Sequence, residues 1–148
     1  MNFKRFIPFL SAIAVMAAFA AEHPAQTGVV ILDHDKVAAV FAHGGSLVAT
    51  NNFKVMALRR DQPGEVEIHD QDTDILYVLE GSATIVTGGT ANGARPTASG
   101  ETRAKDIAGG VAHHLVKGDV MVIPNGVPHW FKEVTGAPFL YYMVKVSK

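Results

Sequence analysis

Hydrophobic and polar positions follow two different periods along this chain. Val37-Ala38-Ala39-Val40-Phe41 is an apolar stretch that comes after Asp33 and before Gly44-Gly45. A carboxylate such as Asp33 accepts hydrogen bonds from the open N–H groups of a first turn. Glycine ends a helix because it adopts left-handed backbone angles freely. The pattern predicts one short N-terminal helix. Downstream, the period drops to the two residues of a strand. Glu65-Val66-Glu67-Ile68-His69 alternates polar and apolar, and residues 53–58 form a further candidate. Residues 75–79 are a dense apolar run that meets a turn at Glu80-Gly81, and residues 83–87 return. Residues 111–116, 120–123, 129–133 and 139–146 complete the set. Many short strands divided by Gly, Pro and Asp turns predict an all-β sandwich or closed barrel. Residues 88–110 interrupt the rhythm with Gly, Ala, Thr and Ser around Arg95, Pro96, Arg103 and Lys105. They read as a long hairpin loop beside the barrel mouth, or as a surface insertion.

The first twenty residues follow neither period. Lys4 and Arg5 precede an apolar run broken only by Pro8 and Ser11, and Ala18-Phe19-Ala20 supplies a small-x-small site. These are the three parts of a secretory signal peptide. The run is short for a membrane span, which takes ~20 apolar residues. Cleavage after Ala20 is expected, with a periplasmic or secreted product. Taking 20 residues from 148 leaves 128, enough for one domain. Its expected parts are a leader with the short helix over 21–45 and a barrel over 46–148. Without Lys4 and Arg5, 11 basic residues face 14 acidic ones, a net charge of −3. That balance predicts neither nucleic acid nor a membrane surface as partner after cleavage. The chain has no cysteine, which excludes a lipid-anchored cysteine, thiolate ligands and thiol catalysis.

The most specific motif is Gly118-Asp119-Val120-Met121-Val122-Ile123-Pro124-Asn125-Gly126-Val127-Pro128-His129. Pro124-Asn125-Gly126 is a tight turn, since proline presets its own φ and glycine tolerates positive φ. A rigid turn followed at once by a strand aims the His129 imidazole into a barrel. The stretch resembles the second motif of the cupin superfamily, with Gly118, Pro124, Gly126 and His129 on its four marked positions. Glu133 stands where that family often has Asn. Upstream, Pro63-Gly64, Glu67-Ile68-His69, Asp74 and Gly81 keep the spacing of the first cupin motif. Glu67 there replaces the first His, and Asp74 the Glu. The resemblance implies a double-stranded β-helix, or jelly roll, and places His69, Asp74, His129 and Glu67 on metal-ligand positions.

Spacing supports the same set. Glu67 and His69 are two apart on a strand and share one face, with Val66 and Ile68 on the other. Asp74 opens the next strand after a short turn. Two imidazoles with carboxylates suit Mn, Fe, Ni or Zn better than Ca or Mg. Glu67 is alternatively a general base beside the metal, or a partner for an imidazole. The competing reading makes Glu65, Glu67 and His69 a solvated strand face. A register using Gln71 as the second member of the pair leaves the count to Asp74 two residues short. His113-His114 read as ordinary strand histidines and Trp130 and Phe131 as core before they read as pocket residues, while Tyr77, Tyr141 and Tyr142 admit both readings.

Two functions fit. One is a metal-dependent enzyme on a small organic substrate, of dioxygenase, isomerase or lyase type, with Glu67 moving protons. The other is a non-catalytic module binding a small molecule or the metal itself. No phosphate-binding glycine loop and no Gly-x-Ser-x-Gly elbow occurs. The resemblance also implies a homodimer, paired through strand edges or apolar faces such as residues 139–146.

Overall fold

The structure, a computed structural model, describes residues 28–148. The signal-peptide reading therefore lies outside the described residues. Helix α1 (His34–His43) begins where Asp33 accepts a hydrogen bond from Lys36 N–H at 2.9 Å, and ends at Gly44. Eleven strands follow: β1 (Gly45–Ala49), β2 (Phe53–Arg60), β3 (Val66–His69), β4 (Asp72–Thr87), β5 (Thr90–Asn92), β6 (Arg95–Ala98), β7 (Glu101–Ala104), β8 (Asp106–Ala108), β9 (Val111–Val116), β10 (Val120–Ile123) and β11 (His129–Ser147). Nine of them join one antiparallel sheet, and β5 and β8 pair separately.

Two long strands organise the roll. β4 and β11 pair along almost their whole length, and each takes part in both layers. In one layer the order is β1, β2, the second half of β11, the first half of β4, then β10. In the other it is β6, β7, β3, the first half of β11, the second half of β4, then β9. The register shifts between the halves fall at residues 134–141 of β11, opposite Gly81 of β4. Gly81 has φ 78°, and a Cβ there would collide with the carbonyl oxygens of Gly136 and Pro138. The sequence pattern treated 75–79 and 83–87, and 129–133 and 139–146, as separate strands. They are halves of single strands, because glycine lets the chain bend without leaving the ladder.

The core lies between the layers. Leu76, Val78, Ala83 and Ile85 of β4 meet Phe131, Phe139, Tyr141 and Met143 of β11, with Leu115 and Ile123 beside them. Three rings (Phe131, Phe139 and Tyr141) pack with centroids 5.2–6.0 Å apart. Helix α1 lies outside, where Phe41 meets Tyr142 edge-on at 5.1 Å.

Residues 88–110, expected as a long hairpin loop beside the barrel mouth or a surface insertion, carry β5 to β8 in two antiparallel pairs, and β7 also pairs with β3 in the main sheet. Residues 139–146 are flanked by β2 on one side and β4 on the other, so they offer no free strand edge for pairing between copies.

Candidate metal centre

Register places the polar residues side by side at one end of the interior. His129 of β11 lies opposite Glu67 of β3, and Lys145 of β11 lies opposite Asp74 of β4. On the far side of β3, Glu67 faces Arg103 and His69 faces Glu101 across β7. Directly opposed residues on one face of an antiparallel pair are within contact distance. The turn before His129 is tied to β3: Gly126 N–H donates to the His69 carbonyl at 2.7 Å, and the Asn125 amide donates to the Asp70 carbonyl at 3.0 Å.

All four residues singled out from the sequence come together. His69, Asp74 and His129 are buried, and Glu67 is half-buried. His69 Nε2 lies 3.4 Å from Asp74 Oδ2 and 3.6 Å from Glu67 Oε2, and His129 Nε2 lies 3.8 Å from Asp74 Oδ2. Donor atoms of Glu67, His69 and His129 all fall within 4.8 Å of one another. An ion with ligands at ~2.1 Å sets its donors no more than ~4.2 Å apart. Those three residues are therefore near metal-binding geometry, and movements of a few tenths of an ångström would bring them to it.

Each imidazole is held by its other nitrogen. His69 Nδ1 meets the Glu101 carboxylate at 2.8 Å, and His129 Nδ1 meets the Val127 carbonyl at 3.0 Å. A carbonyl and an ionised carboxylate only accept, so both Nδ1 atoms carry hydrogen, and each ring in its neutral form turns the Nε2 lone pair into the cavity. Metal-binding histidines are commonly fixed by such partners.

Electrostatics divides the two rings. Burial pushes the His129 imidazole below its ordinary value and keeps it neutral, a tendency that the Val127 carbonyl and the Asp74 charge only partly oppose. Burial also pulls His69 down, but the Asp74 hydrogen bond and the Asp74 and Glu101 charges outweigh burial and the Lys145 charge, so its net direction is upward. Burial alone would raise Asp74; its bonds and charge contacts with His69 and Lys145 hold it below the usual carboxylate value.

Three participants went unread in the sequence: Lys145, Glu101 and Arg103. Lys145 Nζ lies 2.7 Å from His69 Nε2 and 2.8 Å from Asp74 Oδ1. Arg103 pairs with Glu67 at 3.4 Å and Glu101 at 3.5 Å, yet its Nη1 is buried without a hydrogen-bond partner. Arg60 lies over the Phe131 ring at 4.1 Å and donates to the Tyr141 hydroxyl at 3.0 Å. The centre opens into a cavity of about 540 Å³ whose apolar walls include Met56, Leu58, Phe131, Tyr141 and Met143. That volume is typical of small-molecule sites.

The other candidates lie elsewhere. His113 Nε2 meets Thr87 Oγ1 at 3.0 Å away from the centre, and His114 is exposed. Trp130 donates from its indole to the Gly64 carbonyl at 2.7 Å and so braces the strand that carries His129. Tyr77 is exposed, and Tyr142 packs on α1.

Comparison with known proteins agrees with this architecture. The Cupin family matches residues 28–147. Among solved structures, BH2720 from Bacillus halodurans aligns with a TM-score of 0.61 at 14% identity, over 85% of this chain and 86% of that one. NMB1881 from Neisseria meningitidis aligns at 0.51 and 13% identity, over 75% of this chain and 96% of that one. The DMSP lyase DddQ from Ruegeria pomeroyi DSS-3 aligns at 0.50 and 14% identity, over 71% of this chain and 46% of that one. No match was found among curated proteins. These likenesses concern the fold. With the family match spanning most of its length and a jelly-roll sheet around a His–His–carboxylate cluster, the chain belongs to the cupin family.

Proposed function

We propose that this protein is an exported, metal-dependent cupin enzyme acting on a small organic substrate. The observation that carries this reading is the convergence of the His69 and His129 Nε2 atoms with the Asp74 and Glu67 carboxylates at the wall of one cavity. His69, His129 and Asp74 would hold one divalent ion, with Mn, Fe, Ni or Zn fitting the donors. Glu67 would complete the set or move a proton at the substrate. When bound, the metal supplies Lewis-acid or redox chemistry.

The chain's own residues shape what enters. Met56, Leu58, Phe131 and Met143 favour an apolar body. Arg103 Nη1 lies 3.4 Å from Glu67 and 3.5 Å from Glu101 without an aligned hydrogen bond to either, and a carboxylate on the substrate would compete for it. Glu67 lies between Arg60 and Arg103, both at 3.4 Å, where it can exchange a proton with a substrate docked on those cations.

The test is the metal content of purified protein, by mass spectrometry, beside that of His129→Ala, followed by turnover with a panel of small carboxylic acids, phenols and sugars. Metal at about one ion per chain, lost in the variant, with turnover of one panel member, is the expected result. A folded wild type that takes up none of the four metals sinks the reading. Metal without turnover favours the non-catalytic binding module.

A homodimer is proposed on separate grounds. Tyr77, Val120 and Val122 are exposed large hydrophobic residues, and among the described residues β10 is an edge strand that pairs only with β4. Sedimentation at twice the chain mass would support it. Export rests on the pattern of residues 1–20, and detection of a processed chain outside the cytoplasm tests it.

A further inference from the structure

One cation already sits at the centre. Lys145 Nζ lies 2.7 Å from His69 Nε2, and 2.8 and 3.1 Å from the two oxygens of Asp74. In its neutral form, the one that faces the Lys145 ammonium, the His69 ring has a single lone pair available there, because its Nδ1 is engaged by Glu101. One lone pair serves one partner. The ammonium and a metal ion therefore make competing claims on the same nitrogen, and on the same carboxylate.

From this geometry we propose that Lys145 is a resident cation that holds the centre together without metal, and that it must withdraw before metal can bind. The inference rests on the metal-binding reading above. Register supports it: Lys145 lies directly opposite Asp74, so the pair is built into the ladder rather than made by a wandering side chain. Chemistry supports it as well. Asp74 is 1% exposed, and a carboxylate so placed needs a cation. Lys145 supplies a compact charge on a four-carbon stem. It lines the cavity of about 540 Å³, so the ammonium has somewhere to go while its backbone keeps its place in β11. The centre thus has two alternative forms, ammonium-in and metal-in. Its metal affinity is lower than the same donors would give without the lysine.

The probes are Zn(II) by titration calorimetry and Co(II) by visible absorption, on wild type, Lys145→Met and Lys145→Gln. Thermal melts establish that each protein is folded. Lys145→Met removes the competitor and leaves Asp74 an unpaired anion. Lys145→Gln keeps a neutral donor for Asp74 and guards against a methionine variant that fails to fold. The expected order of affinity is methionine above glutamine above wild type, with at least tenfold between the first and the last. His129→Ala added to either variant should abolish the gain. A second readout is amine labelling: saturating Zn(II) should speed acetylation of Lys145 in the wild type, measured on its peptide. Equal Zn(II) affinity in all three proteins overturns the role of Lys145 and leaves the metal centre standing. Tighter binding by wild type overturns it too. No binding by any folded protein removes the metal reading, and this inference with it.

Discussion

The two ends of the interior are built on the same strands, yet they obey different rules. Phe139, Tyr141, Met143 and Lys145 follow one another at two-residue steps on one face of β11, and Val78, Leu76 and Asp74 answer the last three from β4. At the Phe139 end the neighbours are rings and aliphatic chains, and contact is all that matters. At the Lys145 end every group needs a particular partner: Lys145 has Asp74 and His69, His69 has Glu101, and His129 has the Val127 carbonyl. One alternation positions both ends. Burial stabilises the first, and complementary charge makes burial tolerable at the second.

If the ends are separable, damage to one should spare the other. Phe139 is fully buried, and Phe139→Ala should cost about 3–5 kcal/mol by urea denaturation. Zn(II) affinity of the folded variant should stay within about twofold, since its ring packs on Phe131 and Tyr141. Loss of Zn(II) binding in a folded Phe139→Ala protein would show that the core and the centre are one unit. The opposite cut is Asp74→Ala, which leaves Lys145 facing His69 without its anion. It should cost about 3 kcal/mol, the low end for breaking a buried pair, because the Lys145 side chain is 14% exposed and can reach water. Adding Lys145→Met should return most of that loss. A double variant no more stable than Asp74→Ala would mean that the two charges are not coupled.

This contrast also explains what could be read from the chain. Alternation found β3, and short apolar runs between turn residues found β9 and β10. The pattern split β4 and β11 because Gly81 reads as a turn, whereas in the ladder it marks a bend. His69, Asp74, His129 and Glu67 were legible through spacing, which constrains residues close in sequence or tied to a rigid turn. Lys145 was not. Both faces of residues 139–146 are largely apolar, so parity did not say which way the lysine points, and its partner Asp74 is 71 residues away. Glu101 and Arg103 lie in a stretch without an apolar period, and only pairing of β7 with β3 brings them to the centre.

A smaller effect probes the partner of His69. Glu101→Gln keeps the shape and removes the charge that orients Nδ1–H. Zn(II) affinity should fall roughly tenfold to a hundredfold, with stability changed by less than about 1 kcal/mol. An unchanged affinity would mean that the ring is positioned by packing alone. This variant sharpens the comparison, since it changes a polar partner without removing any buried volume.

The smallest expected effect lies at Tyr141, where the two ends meet. Its ring stacks on Phe131 and its hydroxyl accepts from Arg60 Nε at 3.0 Å. Tyr141→Phe keeps the ring and leaves Arg60 without that acceptor, so it should cost about 1 kcal/mol near neutral pH. The pH dependence separates this bond from packing. Burial raises the Tyr141 phenol above its ordinary value of 10.0, with Arg60 acting in the opposite sense. As pH climbs past about 10, the unfolded chain loses the phenolic proton while the folded chain keeps it. The native state then binds more protons than the unfolded one, so stability falls with rising pH. Phenylalanine has no such proton, and the advantage of the wild type should shrink above about pH 10 and be lost toward the folded phenol's pKa. Denaturation of both proteins at several pH values between about 8 and 11 measures it. A gap that stays constant over that range would place the tyrosine wholly with the apolar end, its hydroxyl contributing nothing that depends on its proton.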